Sequence, residues 1–230
     1  MSGERDTAGQ HTRRVFGRVE LAFDAIYLSA AILLGIVFLR RAPGPMRDLA
    51  AFMAFVLAGG DMFHLVPRML SIVYGDDRRR ARAMGWGKLV TSLTMTLFYV
   101  LLWRFGLAAY RLEGYETATR IVYALAAARM ILCLPRGNRW LSRAGSFRWA
   151  IIRNLPFIAL GSMCASLYVD HMAPIPSLGG MGAAIILSFL FYLPAAFWAG
   201  KNRRLGMLML PKTCMYIWML LMMNAYLIKL

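Results

Sequence analysis

Long runs of apolar residues, separated by short polar and charged stretches, dominate the chain. Most of them hold about 17 to 24 residues, the length at which a helix rising ~1.5 Å per residue spans ~30 Å of hydrocarbon. The runs are residues 21–39, 49–67, 86–103, 121–135, 149–169, 182–198 and 205–228. The pattern predicts an all-α, polytopic transmembrane bundle of seven spans.

The first 20 residues are polar and charged, and they lack the apolar spacing that a folded domain requires. They are predicted to form a flexible cytoplasmic tail, followed by a single transmembrane domain over residues 21–230. Composition agrees, because 60% of the residues are hydrophobic and the mean hydropathy is +0.54, above the values of globular proteins. The first run ends at Arg40 and Arg41 without a small-residue cleavage site, so we expect a membrane helix there and not a signal peptide.

Basic residues are distributed unequally between the two sides of the predicted bundle. With seven spans, 18 of the 27 lie on the side of the N-terminus: four in the tail, six from Arg68 to Lys88, five from Arg136 to Arg153 and three from Lys201 to Arg204. The positive-inside rule then predicts a cytoplasmic N-terminus and an external C-terminus, most simply in a bacterial inner membrane. The net charge of +16 does not indicate a nucleic-acid partner, because the basic residues form short clusters between apolar runs.

The fourth run is the shortest and carries Arg129, whose insertion near the middle of a helix costs about 2.5 to 3.5 kcal/mol. Without this span, the basic residues from Arg104 to Arg153 would all lie outside. The uncharged loop around Pro174 and Pro176 would then lie in the cytoplasm. The positive-inside rule therefore favours a seven-span topology.

Polar side chains in four of the spans fall at one depth, in the half of each span nearest the cytoplasm. The predicted ligand-binding or proton-coupling residues are Glu20, Asp24, Tyr27, Asp61, His64, Arg68, Arg129 and Lys212. The three on the first span share one helical face, as do the three on the second. Since ionisable groups inside a membrane usually face a bundle interior or a cavity, this layer predicts a polar chamber in the inner leaflet.

Two interpretations of this layer are open. Asp24 or Asp61 can pair with Arg129 or Lys212 for purely structural reasons, because an unpaired charge in a low-dielectric bundle is destabilising. Alternatively, the cations bind an anionic headgroup and the carboxylates couple to a cation or a proton. The second interpretation predicts a protein that binds or transports a lipid or a small solute. In the first, the chain is a structural or assembly subunit whose charges fix the register of the helices.

His64 is the only histidine within a span, and Asp61 precedes it by three residues. The pair could relay protons or bind a metal, which would make the chain a membrane-embedded lipid hydrolase. A zinc site usually has three or four protein ligands, and only Asp61 and His64, with Asp24 or Glu20 as a third candidate, are available. No GxSxG or HExxH motif occurs. Whether the chain is an enzyme stays open, and no cofactor is strongly implied.

Two resemblances bear on these alternatives. The segment GGDMFHLVPRML resembles the histidine-containing second helix of the progestin/adiponectin receptor and alkaline ceramidase superfamily. That resemblance implies a zinc site completed by an HxxxH pair on the seventh helix, but the seventh span contains no histidine. Lys212 is similar in placement to the retinal-binding lysine of inverted-topology rhodopsins, but the third span lacks the carboxylate counter-ion such proteins usually have. The chain is assigned to neither family.

The basic stretch between the second and third spans, GDDRRRARAMGWGK, is predicted to be a cytoplasmic loop. Its Arg78, Arg79, Arg80 and Arg82 could contact anionic lipids of the inner leaflet, although such residues are also ordinary topology signals. Threonines of the third span are expected to form hydrogen bonds between helices. The three cysteines lie in apolar runs without paired spacing and are interpreted as small core residues.

Overall fold

The computed structural model describes residues 2–75, 77–142, 145–198 and 203–230, and every regular element in these residues is helical. The helices are α1 (Ser2–Leu39), α2 (Pro45–Tyr74), α3 (Arg78–Tyr110), α4 (Glu116–Cys133), α5 (Phe147–Asp170), α6 (Met181–Trp198), α7 (Arg203–Gly206) and α8 (Met209–Leu227). Short 3₁₀ turns lie at Arg136–Asn138 and Pro176–Leu178. The predicted all-α class is therefore confirmed.

Five segments of the described chain are long and apolar enough to cross a membrane. They are Gly17–Leu39, Pro45–Tyr74, Arg78–Tyr110, Phe147–Asp170 and Pro176–Trp198. Helix α4 is not among them because it carries three charged residues, and α8 is less apolar because it contains Lys212 and Asn224. The chain thus has the helices of a membrane protein, while the count of seven spans and their direction stay predictions.

The helices pack as a closed ring in chain order. Each helix from α1 to α5 contacts the next one, α6 contacts α8, and α8 returns to α1. Further contacts join α3 to α5 and α2 to α8. The interior contains fully buried aromatic side chains, including Phe98, Tyr99, Phe157 and Tyr216. Side chains that face inward from α1, α2, α4 and α8 therefore share one interior.

The α2–α3 interface depends on residues without bulky side chains. A Cβ atom added at Gly87 would overlap the backbone carbonyl of Phe63. Four residues along α3, Thr91 Oγ1 donates a hydrogen bond of 2.9 Å to the carbonyl of Gly60 on α2. The predicted threonine contact between helices is confirmed at this position, whereas Thr96 donates to a carbonyl of its own helix. This close approach fixes α2, which carries Asp61 and His64, against α3.

Helix α3 begins earlier than its apolar run. The prediction of a loop over the whole basic stretch is wrong, because α3 is helical from Arg78 onward. Arginine and alanine are both good helix formers, and this explains why the helix extends through the charged residues. With 33 residues, α3 is about 50 Å long, so it extends beyond ~30 Å of hydrocarbon. Its arginines are thereby held on a helix and not on a loop.

The start of α1 and the end of α2 differ from the predicted boundaries, and one of the three cysteines is not buried. Helix α1 begins at Ser2, inside the segment predicted as a tail, and its apolar part begins at Gly17. The flexibility of that segment stays a prediction. Helix α2 passes through Pro67, where the second apolar run was predicted to end. Of the cysteines, Cys133 and Cys164 are buried as expected for core residues, but Cys214 is exposed.

At the end of the bundle away from the predicted polar layer, side-chain hydrogen bonds join neighbouring elements. The Arg41 guanidinium donates to the Asn224 side-chain oxygen at 3.0 Å, linking the end of α1 to α8. The Trp103 indole donates to the Thr119 hydroxyl at 3.0 Å and links α3 to α4. These contacts fix the ring at that end and leave the charged layer at the other.

Candidate functional site

On the α1–α2 side of the ring, the predicted polar residues meet one another. Arg68 forms an ion pair with Glu20. About two turns deeper, the Tyr27 hydroxyl donates a 2.6 Å hydrogen bond to Asp61 Oδ2, and both side chains are buried. Asp24 is 5% exposed, and its Oδ2 has no hydrogen-bond partner among the described residues. Two adjacent helices thus present three carboxylates, one of which is incompletely partnered.

Lys212, near the N-terminal end of α8, places a buried cation across from these carboxylates. It is 7% exposed, and its charge acts on Asp61. Its Nζ lies 5.1 Å from the ring centroids of both Tyr192 on α6 and Tyr216 on α8, within reach of cation–π attraction. Among the described residues, Lys212 forms no ion pair within 4.0 Å. Asp61 and Lys212 are therefore electrostatically coupled without a direct bond.

Arg129 on α4 is the largest polar side chain in the interior and is only 1% exposed. Its guanidinium carbon lies 3.3 Å from the centroid of the Phe157 ring, and Nη1 donates a 3.3 Å hydrogen bond to Asn154 Oδ1. Its Nε has no partner among the described residues. No carboxylate of the described chain lies within ion-pair distance of this guanidinium. Arg129 is therefore a buried cation stabilised by an aromatic face and a single amide.

Asn154 and Tyr192 connect the two buried cations. The Asn154 amide nitrogen donates to the carbonyl of Ala150 on its own helix, which turns Oδ1 towards Arg129. The Tyr192 hydroxyl donates to the same oxygen at 2.9 Å, and the Tyr192 ring faces Lys212. Neither Asn154 nor Tyr192 was predicted as a site residue. Asn154 was detectable as an amide within an apolar run, whereas nothing in the sequence distinguishes Tyr192 from the other tyrosines.

His64 lies in a different environment from Asp61. It interacts with the backbone of Met84 on α3, and its Nδ1 is buried without a partner among the described residues. The charges that act on it are those of the cations Arg68, Lys88 and Lys212. No group of three or more His, Cys, Asp or Glu side chains in the described part of the chain is placed to hold a metal ion. The arrangement gives no support to the metal-dependent hydrolase interpretation.

Further cations lie close to the same end of the ring. Arg153 Nη1 donates to Asn138 Oδ1 at 2.9 Å, and its guanidinium lies 4.2 Å from the Trp140 ring centroid. Asn138 in turn donates to the last carbonyls of α4, among them Cys133 at 3.2 Å, and so satisfies the end of the helix that carries Arg129. The charge of Arg153 also acts on Lys88. Helices α3, α4 and α5 therefore each add positive charge at this end.

Two clefts of the described surface lie at the opposite end of the bundle, where α3 connects to α4. The residues that line one or both of them include Arg104, Leu112, Glu113 and Arg120. Both clefts are open and contain charged residues of both signs. They do not contain any of the eight predicted site residues.

Compared with protein-family models, curated proteins and solved structures, the chain matches none.

Proposed function

We propose that the chain is an integral membrane protein that binds or transports a lipid or a small solute through a polar chamber in the inner leaflet. One observation carries the proposal: buried charges of both signs, from α1, α2, α4 and α8, face one interior without closing into direct pairs. Purely structural charges are expected to pair, because unpaired buried charges destabilise a bundle. Charged side chains that bind a ligand can remain unpaired with one another, because the ligand compensates them.

The proposed topology has seven spans, with α4 and α8 crossing the membrane beside the five more apolar helices. Both helices are integral to the closed ring, because α4 lies between α3 and α5, and α8 joins α6 to α1. Their polar residues Arg129 and Lys212 are buried and do not face lipid. The excess of basic residues on the N-terminal side supports a cytoplasmic N-terminus and a bacterial inner membrane.

We also propose that the first turns of α3 contact anionic lipid headgroups. Arg78, Arg79 and Arg82 are exposed, and Arg80 is half-buried with a hydrogen bond to the carbonyl of Tyr74. Each basic residue near an anionic surface contributes about 1 kcal/mol of attraction. Such contacts would orient the inner end of the ring at the headgroup layer.

Native mass spectrometry of the protein, extracted in mild detergent, tests the chamber. We expect wild type to carry a bound lipid or solute, and Asp61→Asn to lose most of it, because Asp61 links Tyr27 to the charge of Lys212. Asp170→Asn is the matched control, since Asp170 is exposed at the end of α5. Equal occupancy in all three folded proteins, or none in any of them, would favour a structural role for the layer.

A further inference from the structure

Arg129 is a buried charge that few groups of the described residues compensate. A guanidinium has five N–H donors and keeps its charge at any physiological pH. Burial removes its water, and only Asn154 Oδ1 replaces that water as an acceptor in the described residues, at a long 3.3 Å. The Nε donor is buried and unpartnered. This donor set is incomplete without another acceptor.

The three carboxylates of the layer lie on α1 and α2, and none of them pairs with Arg129. Glu20 pairs with Arg68, and Asp61 accepts from Tyr27 and interacts with Lys212. The charges that act on Asp24 are those of Arg68, Glu20 and Asp61, all on α1 and α2. None of the three carboxylates is therefore available to Arg129 on the far side of the ring. The missing acceptor has to come from outside the described chain.

We infer that Arg129 binds the phosphate or carboxylate group of the ligand, which rests on the proposed ligand-binding function and identifies its substrate as an anion. The Phe157 ring covers one face of the guanidinium, so a further acceptor, such as one for the buried Nε, would bind in the plane of the group. Planar N–H pairs of arginine match the oxygens of carboxylate and phosphate groups. Such charge-assisted bonds are strong where water is excluded.

Neighbouring residues orient the site. Asn154 positions the guanidinium because its own side chain is fixed by two hydrogen bonds. Its nitrogen donates to the Ala150 carbonyl, and its oxygen accepts from the Tyr192 hydroxyl. Lys212, whose Nζ lies 5.1 Å from the centroid of the Tyr192 ring, adds a second positive charge that favours an anion over a neutral ligand. The anion can belong to a lipid headgroup or to a small solute, since the two present the same oxygens. A neutral substrate can accept hydrogen bonds from this donor set, but it does not neutralise the two buried cations.

The test is thermal unfolding of purified protein in uncharged detergent, followed by intrinsic tryptophan fluorescence. Three probes are titrated separately: inorganic phosphate, phosphatidylglycerol and diacylglycerol. A ligand that binds the folded state raises the unfolding temperature in a concentration-dependent way. We expect phosphatidylglycerol or inorganic phosphate to raise it in wild type, and diacylglycerol, which lacks the phosphate, not to do so. A response to phosphatidylglycerol alone identifies a lipid, and an equal response to phosphate identifies a small anion.

Two variants test whether the anion-dependent rise in unfolding temperature depends on Arg129. Arg129→Gln is expected to abolish the anion-dependent shift, whereas Arg120→Gln, an exposed arginine of the same helix, keeps it. Asn154→Asp places a carboxylate next to Arg129 without changing the size of the side chain. It should raise the unfolding temperature of the ligand-free protein and at the same time remove the response to phosphate. This second variant decides the matter if Arg129→Gln does not fold.

Several results would overturn the inference. One is a wild type that responds to neither phosphate nor phosphatidylglycerol. Another is Arg129→Gln or Asn154→Asp with the full anion response. If diacylglycerol stabilises wild type as strongly as phosphatidylglycerol does, the chamber binds a neutral lipid. In that case the proposed function stands and the assignment of Arg129 to an anion fails.

Discussion

The two sides of the polar layer contain arginines that look equivalent in the sequence and have opposite surroundings in the fold. Arg68, on the α1–α2 side, pairs with Glu20, and its side chain is 34% exposed. Arg129, on the α4–α5 side, is 1% exposed and has an aromatic ring and an amide but no carboxylate. On the α1–α2 side, charged groups are largely partnered by residues of the same two helices. On the α4–α5 side, the Arg129 guanidinium lacks a charged acceptor among the described residues.

This difference shows that depth in the membrane and pairing are separate properties. The spacing of residues along a helix determines which charges lie at one level. The order of helices in the ring determines which of them meet. Helices α1 and α2 are adjacent, so their acidic and basic residues pair. Helix α4 lies between α3 and α5, and the described residues of these neighbours offer Arg129 only the amide oxygen of Asn154.

The largest expected effect concerns the packing that supports the carboxylate side. Gly87→Ala places a methyl group against the backbone carbonyl of Phe63, where the backbone cannot yield easily. We expect a loss of about 3 kcal/mol or more in the free energy of unfolding in mixed micelles, because overpacked interfaces force the backbone to shift. Gly59→Ala is the control, since a Cβ there meets nothing within 4 Å. Equal stability of the two variants would contradict the described α2–α3 contact.

Asn154→Leu tests the cation side. The change removes the only hydrogen-bond acceptor of Arg129 in the described chain and also leaves the Tyr192 hydroxyl without its acceptor. Hydrogen bonds to charged groups contribute about 1.5 to 3 kcal/mol each, and we expect a loss of about 3 kcal/mol in unfolding free energy. Ser162→Leu, at an exposed position of the same helix, should change stability by less than about 0.5 kcal/mol. An Asn154→Leu protein as stable as wild type would show that Arg129 does not depend on this amide.

Tyr27→Phe removes one hydroxyl from the carboxylate side and leaves the ring in place. The hydroxyl donates to Asp61 at 2.6 Å in a buried environment, so its loss should lower unfolding free energy by about 2 kcal/mol. Tyr123→Phe is the control because Tyr123 is 44% exposed on α4. Chemical denaturation of both variants measures the difference. If both lose the same amount, the Tyr27–Asp61 bond does not stabilise the fold.

The ion pair between Glu20 and Arg68 should have the smallest effect. Its side chains are 23% and 34% exposed, and water screens such pairs. A double-mutant cycle of Glu20→Gln and Arg68→Gln is expected to give a coupling energy of about 0.5 to 1 kcal/mol, decreasing with added salt. A coupling energy of several kcal/mol would mean that this side of the layer is as dry as the surroundings of Arg129.

Much of the fold was predictable because apolar length and residue spacing are local properties. The runs indicated where the helices lie, and the i, i+4, i+7 spacing predicted that Glu20 and Tyr27 share a face, which the contacts with Arg68 and Asp61 confirm. Helix ends were less predictable. A hydropathy pattern detects the part of a helix that is apolar and not the charged turns that extend it, so it missed the start of α3 at Arg78.

The composition of the site was only partly predictable. Charged residues within apolar runs can be recognised in the sequence as candidate site residues, because their insertion into a membrane needs a compensating environment. Asn154 and Tyr192 are positioned by contacts between α4, α5, α6 and α8 that are distant in the sequence. Periodicity likewise placed Asp61 and His64 on one face of α2, but it could not show that Asp61 bonds to Tyr27 of α1 whereas His64 lies against α3.

The central claim is that the charges of the layer line an accessible chamber, and cysteine accessibility tests it most directly. Lys212→Cys, in a Cys214→Ser background that removes the exposed native thiol, is treated in mild detergent with a small water-soluble thiol reagent. Met219→Cys in the same background is the control, since Met219 is fully buried two turns along α8. We predict that the thiol at position 212 reacts at least about tenfold faster, because thiol reactivity follows access. Equally slow reaction at both positions would mean that the polar layer is sealed and that its charges are structural.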